Sequence, residues 1–432
     1  MTDMDKDIQM IDTYSKILRT ELQPALGCTE PIAIAYAAAR AVEILDTFPE
    51  KMVLSCSGNV IKNVKGVAVP NSGGLKGLEI SAALGAVGGQ ADKKLQVLEA
   101  VGPDQRERAR QLVADGFCEC RLKENVPPLC IGVEAFAGGQ SAYVEIAHEH
   151  VNIVRIMKNG EVLFSQDIHT GQDSHGAVDA KSLLNIRDII TFAGVVDIDT
   201  IEPILEPQIS CNEAIADEGL RHSYGMDMGK RLLASYNGDD VRIRARARAA
   251  AGSDARMSGC SLPVIINSGS GNQGMTVSLP VIEYARTMGS SREELLRALA
   301  VANLVAIHQK KYIGSLSAFC GVVSAAAGAA CGISFLHGGR YDAISRTITN
   351  TLATVGGMVC DGAKPSCAAK ISTALDCAIT SFEIGTFEHD SFKAGEGLVA
   401  GDVESTIRNF GRVGAQGMKE TDRHILSMML QK

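Results

Sequence analysis

An uncharged stretch in the second half of the chain most constrains how the sequence can fold. No Asp, Glu, Lys or Arg occurs between Tyr312 and Gly339, a run long enough to cross a bilayer as a helix. The run consists mainly of Gly, Ala, Ser and Cys, however, and offers lipid little apolar surface. Gly314, Gly321 and Gly328 recur seven residues apart, as on one closely packed helix face. We therefore predict a buried helix or helix pair in a tight bundle.

The first half of the chain mixes helical and strand patterns. Residues 8–48 are typical of a helix that breaks at Leu26-Gly27 and restarts at Pro31. Alternating apolar residues predict strands within 52–69 and again between 118 and 166. Further expected features are a hairpin turn at Lys158-Asn159-Gly160, a helix of small residues at 75–89 and a charged surface helix at 103–115.

Beyond residue 181 helical periodicity dominates. Ser210 and Ser291 are each followed three residues later by Glu, which predicts helix starts with capping boxes. Arginines alternate from 242 to 248 and predict a solvated or interface helix face. The segment 167–180, rich in Gly, Asp and His, is the expected linker. The sequence thus predicts an α+β fold with a mixed α/β domain at 1–180 and an all-helical, Gly/Ala-rich domain at 181–432.

Composition excludes several classes of partner. With 42 Lys and Arg against 50 Asp and Glu, the net charge of −8 argues against nucleic acid or an anionic membrane surface. Aromatic residues make up 4% and Trp is absent, so base-stacking platforms are not expected. The acidic N-terminus lacks the apolar core of a secretory signal. Twelve cysteines are therefore expected in a reducing cytoplasm, where clustered cysteines indicate metal binding or catalysis more often than disulfides.

A glycine-rich run at 269–274, GSGNQG, follows the apolar residues 262–266. A dinucleotide site at this run would require a βαβ unit and an acid about 20 residues on, and Glu293 or Glu294 has that spacing. The same backbone amides also suit any anion, including a small carboxylate, and a plain tight turn is about equally consistent. The candidate substrate-binding side chains are Asn267, Ser268, Ser270, Asn272 and Gln273.

Cysteines in the second half predict an iron–sulfur site. Cys360 and Cys367 flank a loop, because Gly362 and Pro365 disfavour a regular helix between them. A third thiolate could come from Cys320, and spacing alone leaves Cys331 and Cys377 as alternatives. Three soft thiolates without a paired histidine suit a [4Fe–4S] cluster, whose open iron would act as a Lewis acid. Lys364 and Tyr312, near these cysteines in sequence, are candidates to steer a substrate.

Cys28 forms a separate candidate, in the segment GCTEP at 27–31. Proline favours the first turn of a helix, so Cys28 is predicted just ahead of a helix N-terminus. The positive end of that helix would lower the thiol pKa and favour the thiolate, which can act as ligand, nucleophile or base. A packed, inert cysteine is the competing interpretation, and Glu30 can be a plain helix cap. His308 and His337 are isolated and are expected to be structural.

Four motifs together resemble the L-cysteine desulfidase family, which is related to the α chain of iron–sulfur L-serine dehydratases. They are residues 27–31, 267–274, 316–321 and 357–367, and they occur in the family's order over nearly the whole chain. The resemblance implies that Cys320, Cys360 and Cys367 hold a [4Fe–4S] cluster in the helical half. It also implies that Cys28 corresponds to the family's N-terminal functional cysteine.

The reaction implied by this resemblance is β-elimination of L-cysteine to sulfide, ammonia and pyruvate without pyridoxal phosphate. Cys28 would be the base or a fourth ligand displaced by substrate, and the 267–274 loop would hold the carboxylate. The alternatives are an L-serine dehydratase, disfavoured by the missing C-terminal cysteine, a nicotinamide-dependent oxidoreductase using 269–274, and a non-catalytic metal protein. We expect a cytoplasmic enzyme with a small amino-acid substrate and with no nucleic-acid or membrane partner. Assembly into a homo-oligomer is compatible with the sequence.

Overall fold

The computed structural model describes residues 3–166, 180–387, 389 and 392–431. Its first part combines helices with a sheet. The elements of this part are α1 (Asp3–Glu21), β1 (Pro24–Leu26), α2 (Thr29–Leu45), β2 (Lys51–Cys56), α3 (Gly58–Val64), α4 (Leu78–Gly88), α5 (Pro103–Ala114), β3 (Cys118–Leu122), β4 (Cys130–Ala137), β5 (Gln140–Ala147), β6 (Ile153–Lys158) and β7 (Glu161–Ser165).

The second part is helical apart from one short strand. Its elements are α6 (Ile186–Val195), α7 (Ile198–Arg221), α8 (Met228–Ser235), α9 (Val241–Met257), β8 (Pro263–Ile265), α10 (Gly271–Met288), α11 (Arg292–Ile313), α12 (Val322–Leu336), α13 (Tyr341–Val355), α14 (Cys367–Gly385), α15 (Val403–Arg412) and α16 (Lys419–Leu430). The predicted α+β fold class is confirmed.

Six strands form the main sheet in the order β3-β2-β4-β5-β6-β7. β2 runs parallel to β3, and the remaining neighbours are antiparallel. The predicted turn between β6 and β7 is confirmed, with Asn159 and Gly160 at φ 51° and 83°, as a two-residue hairpin requires. The helices expected at 75–89 and 103–115 are present as α4 and α5.

The strand prediction for 52–69 is only partly right. β2 ends at Cys56, and residues 58–64 form the helix α3. Val60, Ile61 and Val64 are all buried, and their spacing places them on one side of a helix, whereas a strand would split them between its two faces. The change of periodicity after Ser57 is what the sequence interpretation missed.

Of the two predicted alternatives, a buried helix or a helix pair, the first is confirmed: the uncharged stretch contains all of the buried helix α12 and only the last two residues of α11. A Cβ on Gly328 would lie 2.4 Å from the Ala302 carbonyl oxygen of α11, which explains the need for small residues here. The predicted common glycine face is wrong, because Gly314 ends α11 and Gly321 precedes α12. Among the described residues, no helix is long and apolar enough to span a membrane.

One of the two predicted capping boxes is confirmed. Ser291 caps α11 together with Glu294, but Ser210 lies inside the continuous helix α7. The Ser210 hydroxyl donates to the Glu206 carbonyl at 3.1 Å. Serine side chains inside helices commonly form this hydrogen bond to the carbonyl four residues earlier. The alternating arginines of α9 lie at helix interfaces as expected, for example Arg244 with Glu283 at 2.7 Å.

Contacts between the first and second parts of the chain position the site. β1 pairs antiparallel with β8, with Ala25 opposite Val264, and this places the start of α2 beside the start of α10. α1 packs against α6, α7 and α11. The domain boundary between residues 180 and 181 stays a prediction, and residues 167–179 of the expected linker lie outside the described residues.

Candidate functional site

Two helix N-termini meet at the β1–β8 pair. Cys28 is the residue before α2, as predicted, and Ser270 occupies the same position before α10. The Thr29 hydroxyl donates to the Gly269 carbonyl at 2.9 Å and ties the two segments together. Since the first amides of a helix lack internal partners, this corner of the molecule concentrates positive backbone dipoles.

Glu30 is the centre of a buried hydrogen-bond network at this corner. Its carboxylate accepts from the Cys28 thiol at 3.1 Å and from the Asn63 amide at 2.8 Å, and Nε2 of His150 lies 3.9 Å away. Burial acts to raise the pKa of Glu30, but the neighbouring His150 imidazole and the Cys28 thiol hold it well below the usual range. Glu30 is therefore a buried carboxylate at neutral pH.

The expectation of a lowered pKa for Cys28 is wrong. Burial and the adjacent Glu30 carboxylate raise the pKa of this thiol well above its ordinary value, despite the opposing charge of Arg256. The helix N-terminus stabilises a thiolate by a modest amount, and desolvation together with a neighbouring negative charge outweighs it. Cys28 is a neutral thiol that donates to Glu30.

The three cysteines predicted as cluster ligands come from two loops and a helix start. Cys320 and Cys360 lie on adjacent backbones, where the Cys320 amide donates to Met358 at 2.9 Å and the Cys360 amide donates to Ala318 at 2.7 Å. Cys367 begins α14 and packs against a small apolar cluster that includes Cys28. The fold therefore brings Cys367 of the helical half beside Cys28 of the N-terminal half.

The alternative cysteines have other surroundings. Cys331 is buried within α12, 4.0 Å from the Ile344 carbonyl, and Cys377 contacts Ser381 within α14. Spacing left these two residues open as ligands, whereas Cys320, Cys360 and Cys367 influence one another electrostatically.

Positive charge surrounds the loop that carries Cys360. A hydrogen bond with the Cys320 thiol, followed by Lys62 and Lys370, lowers the pKa of Cys360 against the effect of burial. The buried Lys62 ammonium donates to the Cys360 carbonyl at 3.3 Å and pairs with Asp422 of α16 at 2.5 Å. Asp422 also accepts from the Ala318 amide at 2.9 Å, so α16 fixes both cysteine loops.

The three cysteines predicted as ligands carry the donor type that an iron–sulfur cluster uses. Among the described residues, no group of three or more His, Cys, Asp or Glu side chains is arranged to hold one metal ion. The cysteine ligands of a cluster bind different irons, so they stand further apart than the ligands of one ion. Thiolates are the ligands that such clusters use, and the buried Lys62 complements the negative charge that three of them would bring.

The 267–274 loop divides into structural and site-facing residues. Asn267 donates to Asn303 at 3.0 Å, Ser268 donates to Asn267 at 2.9 Å, and Ser270 caps α10. Asn272 accepts from Arg256 at 3.2 Å, and the Gln273 side chain comes within 2.7 Å of where a Cβ on Gly321 would lie. The loop thus approaches the Cys320 segment through Asn272 and Gln273.

Lys364 lies on the Cys360–Cys367 loop but turns back to its own segment. Its ammonium pairs with Asp361 at 2.6 Å, and Lys370 pairs with the same carboxylate at 2.5 Å. Lys364 therefore has an ion-pair partner on its own loop, and contact between Lys364 and a substrate stays a prediction.

The surroundings of the loop differ from those of a dinucleotide site. β8 has three residues and pairs antiparallel with β1, so the described residues form no βαβ unit here. Glu294, one of the two acids with suitable spacing, belongs to the capping box of α11, and Glu293 pairs with Arg297 at 2.8 Å. Both carboxylates therefore form local contacts in the first turn of α11, and neither is placed to bind a ribose hydroxyl.

Sequence reasoning missed four polar residues of the candidate site, because none of them belongs to a recognisable motif. His150 follows β5 and approaches Gly269, where a Cβ would lie 3.1 Å from its Cε1. The others are Asn63, Lys62 and Arg256, which come from α3 and the end of α9. The close spacing of His148 and His150 was the one feature of the sequence that could have pointed to a site at this position. Nothing near these two histidines in the sequence indicates a connection with the cysteines.

Comparison with known proteins identifies the relatives of the chain. A family model described as serine dehydratase alpha chain matches residues 92–427. The chain belongs to the serine dehydratase alpha chain family. It is 50% identical over 422 residues to a UPF0597 protein of Lachnoclostridium phytofermentans, covering 98% of this chain and 99% of that protein. A UPF0597 protein of Treponema denticola is 46% identical over 433 residues, covering 99% and 100%.

These matches confirm the resemblance to the α chain of serine dehydratases. They support a lyase of the serine dehydratase type, which is broader than the desulfidase activity expected from the sequence.

Proposed function

We propose that this protein is an iron–sulfur lyase that converts L-cysteine to sulfide, ammonia and pyruvate. The observation that carries the proposal is the grouping of Cys320 with Cys360 and Cys367, the last of which packs against the cluster that contains Cys28. Family membership independently supports β-elimination from a small amino acid.

Cys320, Cys360 and Cys367 would hold the [4Fe–4S] cluster, which supplies a Lewis acid for the leaving group when bound. Lys62 and Lys370 favour the thiolate at Cys360 and balance the negative charge of the ligands. Asp422 holds Lys62 and the Ala318 amide, and thereby keeps the two cysteine loops in register.

The substrate carboxylate would lie at the N-terminus of α10, within reach of Asn272 and Gln273. Free amides and the helix dipole favour an anion at this position. Asn267, Ser268 and Ser270 would act by holding the loop in shape, given their contacts with Asn303 and within the loop. Lys364 would reach a substrate only after leaving Asp361.

Cys28 is the candidate to remove the Cα proton, or to serve as a displaceable ligand. Its thiol proton points to Oε2 of Glu30, while the other oxygen of that carboxylate faces Asn63 and His150. In the first role, Cys28 would transfer its own proton to Glu30 before accepting one from Cα. His150, whose Nε2 has no hydrogen-bond partner, could then take the proton from Glu30.

L-serine is the second candidate substrate, and the name of the family, serine dehydratase alpha chain, specifically favours it. The two reactions differ in the leaving group and share the carboxylate, the Cα proton and the products ammonia and pyruvate. The nicotinamide-dependent alternative loses support, because the described residues around 269–274 lack the parallel strand that it needs.

The test is sulfide and pyruvate release from L-cysteine by protein reconstituted with iron and sulfide under anaerobic conditions. L-serine is assayed in parallel, and Cys360→Ala serves as the cluster-deficient variant. Equal amounts of sulfide and pyruvate, absent in the variant, would support the desulfidase. Pyruvate from serine alone would assign the protein to the dehydratases, and turnover of neither substrate by iron-loaded protein would contradict both proposals.

A further inference from the structure

Arg256 is a buried cation for which the described residues provide no ion-pair partner. It lies in the last turn of α9, is 2% exposed and is among the largest fully buried side chains. Its Nη1 donates to Asn272 Oδ1 at 3.2 Å, and its Nε has no hydrogen-bond partner. Within the described ranges, no carboxylate lies within 4.0 Å of the guanidinium, although the charge of Glu30 acts on it from further away.

The neighbouring arginines of α9 differ from Arg256 because their guanidinium groups form ion pairs. Arg244 pairs with Glu283 at 2.7 Å, Arg246 with Asp376 at 2.8 Å, and Arg248 with Asp217 at 2.9 Å. A buried charge is costly unless it is paired and hydrogen-bonded. The Nε atoms of Arg246 and Arg248 also lack a hydrogen-bond partner, so Arg256 differs from them in having no carboxylate close by among the described residues. This difference occurs where α9 reaches the site, and it leaves room for a ligand to supply the counter-charge.

The neighbouring helix start reinforces this requirement. A Cβ on Gly271 would lie 2.4 Å from Nε and 2.7 Å from Cζ of Arg256. Glycine at the first residue of α10 therefore lets the guanidinium lie directly against the N-terminus of this 18-residue helix. A guanidinium beside a helix N-terminus combines two positive features in one buried place, and an anion would satisfy both.

We propose that Arg256 binds the α-carboxylate of the substrate and makes the site selective for amino acids over the corresponding amines. Arginine is suited to this role because its planar fork matches a carboxylate. Asn272 orients the guanidinium through Nη1, which leaves Nε available for the ligand. This inference rests on the proposed function and adds a recognition residue to it.

The test combines kinetics with iron analysis on reconstituted Arg256→Lys and Arg256→Met proteins. We expect KM for the amino acid that is turned over to rise about 10- to 100-fold, the usual worth of a charge-assisted hydrogen bond, with iron content unchanged. Cysteamine, which lacks the carboxylate, should not bind to the wild type. Arg246→Lys is the matched control, because Arg246 is paired with Asp376, and it should keep the wild-type KM.

Calorimetric titration of cluster-free protein with L-serine and L-cysteine separates this inference from the proposed function. Binding to the wild type that is lost in Arg256→Met, or in Arg256→Lys if the methionine variant does not fold, supports carboxylate recognition whether or not turnover is detected. Unchanged binding and KM in both variants would overturn the role. Loss of iron with unchanged KM would instead show that Arg256 only balances the charge of the thiolates.

Discussion

The chain gathers cysteines in two places, and the contrast between them is instructive. Each place contains a pair of neighbouring thiols that shift each other's pKa, Cys56 with Cys120 and Cys320 with Cys360. The first place, which we call the sheet thiols, comprises Cys56, Cys118, Cys120 and Cys130 on β2, β3 and β4. The second place, which we call the loop thiols, comprises Cys320, Cys360 and Cys367.

The two groups differ in the charges around them. The Cys120 thiol and burial raise the pKa of Cys56, and burial raises that of Cys118, with a smaller contribution from Glu79 in both cases. Glu79 also opposes the lowering of the Cys120 pKa by the Cys56 thiol, so this carboxylate disfavours thiolates in the sheet. Lys62 and Lys370 act in the opposite direction on Cys360. We therefore expect the sign of the surrounding charge, rather than the proximity of the thiols alone, to determine which of the two groups binds metal.

The sharpest test of this contrast is iron content after removal of one thiol from each group. Cys360→Ala should lose essentially all cluster iron and turnover, because a ligand is removed. Cys120→Ala should retain both, since it removes a sheet thiol. Iron and acid-labile sulfide are measured after anaerobic reconstitution. Equal iron in the two variants would contradict the assignment of the loop thiols as ligands.

Cys28 belongs to neither group, and its removal should separate chemistry from cluster assembly. We expect Cys28→Ser to keep the cluster and to lose about 10²- to 10⁴-fold in kcat, the usual contribution of a general base. Visible absorption reports the cluster, and pyruvate formation reports turnover. A wild-type rate in Cys28→Ala would eliminate Cys28 from the reaction.

The ion pairs beside the two groups provide the next comparison. Asp422→Ala leaves the buried Lys62 unpaired and frees the Ala318 amide, so the unfolding free energy should fall by about 3 kcal/mol and iron should be lost faster. Lys123 pairs with Glu145 beside Cys130 in the sheet. Glu145→Gln should lower stability with no change in iron retention, as followed by urea unfolding and iron release to a chelator.

The smallest expected effect concerns the protonation of the sheet thiols. Burial raises the pKa of Cys118 to about 12, with a further contribution from Glu79. Below this pKa the alkylation rate rises about tenfold for each pH unit, because only the thiolate reacts. Glu79→Gln lowers the pKa of Cys118, so alkylation at pH 8 should accelerate about two- to fivefold. Mass spectrometry of the Cys118 peptide measures the rate, and slower alkylation would refute the charge effect.

The sequence predicted features that depend on local residues. The helix start after Cys28, the Cys360–Cys367 loop and the 159–160 turn all follow from proline and glycine positions. Errors arose where a local pattern fits two structures, as at Ser210 inside α7. The seven-residue glycine repeat misled for the same reason, because a helix end and a helix interior both accept glycine.

The site itself was predictable only in its cysteines and its glycine-rich loop. His150 and Arg256 carry no motif, and their importance depends on burial beside Glu30 and Asn272, which tertiary contacts alone create. The pKa of Cys28 was mispredicted because the helix dipole is local, whereas the deciding effects, burial and the held carboxylate of Glu30, depend on the complete fold.

The pairing of β1 with β8 has a consequence for synthesis of the protein. A ribosome delivers the N-terminal strand long before its partner, and α16, which fixes the cysteine loops, emerges last. Contacts between residues so distant in sequence form slowly and only after the intervening chain is available. The proposed cluster site is accordingly complete only after α16 has been synthesised, whereas Cys28 can meet the segment that bears Gly269 earlier, once β8 and the start of α10 have emerged.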